Sequence, residues 1–79
     1  MLIVSDDSKT VVNLDNVFMF NIGEVFGNYK IYAIPCNIGI PIVIGTYETE
    51  VKARSVLNNL LYEYRNRIPD ENTVYKMTR

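Results

Sequence analysis

Seventy-nine residues, 48% hydrophobic and 22% charged, make one folded domain (1–79) whose core is small for independent stability. The lone cysteine, Cys36, excludes an internal disulfide, and the lack of histidine and of any Cys-x-x-Cys pair argues against structural zinc. The formal net charge of −1 conceals −4 over residues 1–51 and +3 over residues 52–79, an asymmetry too mild for a dedicated nucleic-acid binder.

In chain order, Met1 to Val4 is a short apolar run, broken by the polar turn Ser5-Asp6-Asp7-Ser8-Lys9. Val11 to Leu14 reads as the returning strand of a hairpin, and Asp15-Asn16 as a side-chain-supported turn or bulge. Val17 to Ile22 is a strand, and Gly23 to Asn28 a connection whose glycines tolerate positive φ. Tyr29 to Ile34 is an aromatic and β-branched strand, Pro35 to Gly39 a turn, and Ile40 or Pro41 to Tyr47 the next strand. The period then changes. Thr49 is placed to cap a helix, with Glu50 in its first turn, where a carboxylate favours the dipole. Ala53, Val56, Leu57, Leu60, Leu61 and Tyr64 share one helical face, and Arg65 and Arg67 end the helix before Pro69. Asp70-Glu71-Asn72 turns into a last strand, Thr73 to Met77. The expected class is α+β: an antiparallel β-meander of four to six short strands with one amphipathic helix packed on one face.

The strands make a demand this architecture does not meet. Residues 17–22, 29–34 and 40–46 are apolar on both faces, and one helix covers one face only. Phe18, Phe20 and Ile22, with Tyr32 and Ile34, are taken as the uncovered side. The expectation is a homo-oligomer, a dimer first, packed through that side.

Catalytic chemistry is poorly provided for. No histidine is available as a proton shuttle, and Cys36 has no activating neighbour in sequence. Asp6-Asp7 suits a turn better than a cation site. Gly23–Gly27 and Gly39–Gly45 lack the Gly-Lys-Ser/Thr ending of a phosphate loop. No cofactor, metal or enzymatic activity is expected. Arg54, Tyr62, Arg65 and Arg67 are the surface residues singled out for a partner, because an exposed tyrosine beside arginines suits macromolecular or nucleotide contacts. The uncharged run Ile31 to Tyr47 is interrupted by two prolines and two glycines, which favours turns over a membrane span. MLIVSDDSK has no basic segment of a signal peptide, so a cytoplasmic location is expected.

VNLDNV at 12–17, GTYETE at 45–50, Ala53 with Val56-Leu57, and VYKM at 74–77 resemble a group of small uncharacterised proteins of Gram-positive bacteria and their phages. The resemblance spans most of the chain, and its motifs are strand starts and a helix cap. It implies a phage or prophage accessory protein acting in the host cytoplasm. The function expected is binding or inhibition of a host macromolecule, with anti-defence action as one form. The alternative is an oligomer that sequesters a nucleotide-like ligand through arginine and tyrosine. A DNA-binding regulator is weaker, since the chain is slightly acidic.

Overall fold

Two apolar runs separated by a polar one fold back on each other as β1 (Leu2–Val4) and β2 (Val11–Asn13). The structure, a computed structural model, describes residues 1–37, 39–66 and 73–79. The Ser5 hydroxyl donates to Asp7 Oδ1 at 2.6 Å, and the same oxygen accepts from the Lys9 amide at 3.0 Å. These bonds, the Ser5 one first, hold the Asp7 carboxyl below the ordinary aspartate value. Asp15-Asn16 belongs to a 3-10 turn, Leu14–Asn16, in which the Asn13 side chain accepts from the Asp15 amide.

The next strands are longer than their sequence suggests. β3 runs Val17–Val25, β4 runs Asn28–Pro35, and β5 runs Ile42–Tyr47. The connection expected over 23–28 shrinks to the two residues Phe26 and Gly27, because Gly23 continues the strand. The Tyr32 ring covers it, and a Cβ there would sit 3.1 Å from Tyr32 Cε2. Ile40 and Pro41 precede β5 rather than start it.

The helix α1, Glu50–Arg65, begins where Thr49 Oγ1 accepts from the Lys52 amide at 3.1 Å and stops at Asn66. Ala53, Val56 and Leu60 are buried, and Leu57 and Tyr64 pack partly against the core. Leu61, expected within the apolar stripe, lies at its margin and is 39% exposed. Arg67, Pro69 and the turn Asp70-Glu71-Asn72 lie outside the described residues. The last strand, β6, spans Val74–Lys76.

The meander is β3-β4-β5, antiparallel throughout, and a second sheet has the order β2-β1-β6, with β6 parallel to β1. The two sheets and α1 enclose one core. Ile3 and Val12 come from the second sheet and Leu14 and Met77 from the residues that follow β2 and β6, Ile31, Ala33, Ile44 and Tyr47 from the meander, and Ala53, Val56 and Leu60 from the helix. Each large side chain there contributes roughly 1.5–3 kcal/mol on burial. The second sheet therefore shares the helix side of the core. It adjoins the meander at β5, where the Asp6 amide donates to the Ile44 carbonyl (3.0 Å) and the Thr46 amide donates to Asp6 Oδ2 (3.1 Å).

No helix among the described residues is long and apolar enough to cross a membrane. The uncharged run 31–47 is divided between β4 and β5.

Candidate functional site

The two-sided strand VFMFNI resolves through an irregularity. Val17 pairs with Pro35 and Met19 with Ile34, so Phe18 is the extra residue of a β-bulge. Beyond it the register is regular: Phe20 opposes Ala33, and Ile22 opposes Ile31. Ala33 and Ile31 are core residues, and cross-strand partners share a face, so Phe20 and Ile22 point toward the helix and pack against the core. The expectation that Phe18, Phe20 and Ile22 present one outward face with Tyr32 and Ile34 is corrected accordingly. The bulge resets the alternation, which lets Val17 and Phe20 both reach the core. Phe18 itself is 60% exposed.

The outward face of the meander carries Met19 beside Ile34, Asn21 beside Tyr32, and Val43 on the other side of Tyr32. Tyr32 is half-buried. Ile34 is buried but stands apart from the main core cluster. Met19 and Val43 remain exposed and were not singled out by sequence. Strict alternation across 17–22 would have shown Met19 facing Phe20's opposite side, but it could not say which side the helix takes.

At the far end of this hairpin, Val25 opposes Asn28, and Phe26 and Gly27 both have positive φ, 50° and 79°. Two left-handed residues are the signature of a type I′ turn, which matches the twist of the strands it joins. Asn-Gly usually fills it; here a phenylalanine does, and its side chain is fully exposed. The Gly27-Asn28 pair within a strand-rich run is the only sequence hint of the turn. Behind it Tyr29 bonds to Glu24, which raises the phenol above its ordinary value.

The basic helix candidates are not brought together. Arg54 donates from Nε and Nη2 to Glu50 Oε1 at 3.0 and 2.8 Å, an exposed i,i+4 pair. Arg65 lies three turns further on, about 16 Å along the axis. Tyr62 is 63% exposed between them, and Arg67 lies outside the described residues. Cys36 is exposed at the end of β4, its amide bonded to the Asn16 carbonyl. The Asp6-Asp7 pair divides its work, with Asp6 on β5 and Asp7 inside its own loop. Among the described residues no three histidine, cysteine, aspartate or glutamate side chains cluster as cation ligands do.

A cleft of about 400 Å³ lies over the start of α1, lined by Thr46, Tyr47, Glu48, Thr49, Lys52 and Arg79. Its charges are mixed. Arg79 Nε donates to the Asp6 carbonyl, and Thr49 already occupies the Lys52 amide. Tyr47 forms its floor, 4% exposed, with its hydroxyl donating to the Thr78 carbonyl at 2.5 Å. Burial pushes this phenol up to about 12.

Comparison with family models, curated proteins and solved structures finds no match to this chain.

Proposed function

We propose that this chain is a small non-catalytic interaction protein that self-associates, a dimer being the first state, and binds a macromolecule of a phage's bacterial host. The single observation that carries the proposal is the exposed apolar surface of the outer face of the β3-β4-β5 meander and of its β3–β4 turn. Met19 and Val43 are exposed beside Ile34 and Tyr32, Phe18 is exposed at the bulge, and Phe26 is exposed at the turn. Apolar surface gathered on one sheet of a small domain supports contact with another chain. The host setting rests on the resemblance of VNLDNV and GTYETE to phage-type proteins, and a cytoplasmic site of action goes with it.

The sequestration of a nucleotide-like ligand is less well supported. Its arginines are spread along α1, and Arg54 is engaged by Glu50. Size-exclusion chromatography with light scattering tests the proposal: a mass above that of one chain at micromolar concentration is expected, and a clean monomer overturns it. A thermal-shift series with nucleotides is expected to leave the melting temperature unchanged. A large shift with one nucleotide would favour sequestration instead.

A further inference from the structure

Among the described residues, the free edge of β3 is the least protected backbone. In the meander β4 is central, so β3 and β5 are the edges. β5 is partly covered by Asp6, through the Ile44 carbonyl and the Thr46 amide. The outer strands of the second sheet, β2 and β6, have three residues each, too few to template much pairing. β3 has nine, VFMFNIGEV, with no proline and no charge except Glu24.

The hairpin determines which of its backbone groups are unused. With a two-residue turn, Val25 and Asn28 must be the closing hydrogen-bonded pair, and hydrogen-bonded pairs then alternate along the ladder. Gly23, Asn21 and Met19 therefore bond to β4. Phe20, Ile22 and Glu24 turn their N–H and C=O outward, and no strand among the described residues receives them. The register is regular from Met19 to Val25 and irregular before it.

We infer that this edge pairs antiparallel with β3 of a second copy, with the two-fold axis at Ile22, so that two meanders form one continuous six-stranded sheet. This rests on the self-association proposed above and places it at the β3 edge, where it makes the outward apolar faces of the two meanders continuous. Three features select a second copy and this register. It uses the whole regular segment, joining Met19 to Val25, Phe20 to Glu24 and Ile22 to Ile22 across the axis. It satisfies all the outward groups of Phe20, Ile22 and Glu24, because each outward residue meets another. It holds the two Glu24 carboxylates roughly 14 Å apart along the strands, beyond the screening distance at physiological salt.

The test reads register and association separately. In a Cys36→Ser background, Ile22→Cys places two thiols opposite each other at a Cα separation of about 5.5 Å, within disulfide range. Phe20→Cys places its two thiols roughly 14 Å apart along the strands. The first is expected to oxidise to a covalent dimer on the order of tenfold faster than the second. A second measurement needs no substitution: amide exchange at Phe20, Ile22 and Glu24 should slow as protein concentration rises, while Phe26 does not change. A dimer by light scattering with unslowed exchange at those three amides, or with faster cross-linking at position 20, overturns the pairing and leaves self-association to another surface. A monomer at every concentration overturns both.

Discussion

The two edges of one sheet are finished differently. On β5, a single aspartate from the β1–β2 loop gives its amide to the Ile44 carbonyl and takes the Thr46 amide with its carboxylate. On β3, nine residues run without such a cover among the described residues. The difference shows what it takes to make a strand edge inert: one short polar residue, held in place by the turn around it. β3 has instead a bulge at its start, which bends the ladder at Phe18 but leaves the rest regular.

That comparison is broken most severely at Gly45. The Tyr47 ring folds back over it, and a Cβ there would lie 2.6 Å from the tyrosine oxygen. Gly45→Val should expel the ring from the core and cost about 3 kcal/mol, read as a lower urea midpoint. Next is Asp6→Ala, which leaves the Thr46 amide without its carboxylate. A loss of about 2 kcal/mol is expected, together with new association through β5 in light scattering. Asp6→Asn, which keeps an acceptor oxygen, should recover part of both; equal behaviour of the two variants would remove Asp6 as the edge cover.

A smaller effect belongs to Tyr47→Phe, which loses the bond to the Thr78 carbonyl and about 1 kcal/mol at neutral pH. Its pH dependence is more telling. The buried phenol titrates near 12 against 10 for the free side chain, so the folded state holds the proton longer than the unfolded state. The resulting stability is present below pH 10 and is lost as pH rises through 12. The Phe variant should lack that alkaline loss, as followed by denaturant titration between those values. The smallest change is expected at the turn. Phe26→Asn replaces a bulky residue at φ 50° with one that accepts the left-handed region, and should raise stability by about 0.5–1 kcal/mol. It should leave the mass read by light scattering unaltered, since Phe26 lies beyond the segment proposed to pair.

Much of this fold was legible in the sequence where one local rule acts alone. The Thr49 cap, the apolar spacing from Ala53 to Tyr64 and the arginine at the end define α1 without reference to the rest of the chain. The strands were legible as strands, but not their extents. Gly23 reads as a breaker and is in fact a strand residue, because the ring of Tyr32, its diagonal neighbour on β4, fills the space. The division into two sheets depends on β6 returning to β1, and no local pattern encodes that choice. The candidate surface was legible only in outline. Excess apolar character in 17–22 was visible, yet the bulge at Phe18 decides which side chains are left outside. It arises from the pairing of Val17 with Pro35, nearly a whole hairpin away in sequence.

The same return of the chain has a kinetic side. β1 is the first strand and the central one of its sheet, and its parallel neighbour pairs Leu2 with Val74. Closing a loop of that length delays the contact, and proteins rich in such distant pairings fold slowly. The β3–β4 hairpin, closed by two residues, can form far sooner. During folding, then, the arm with the open edge is assembled while the sheet around Ile3 still waits for its last strand.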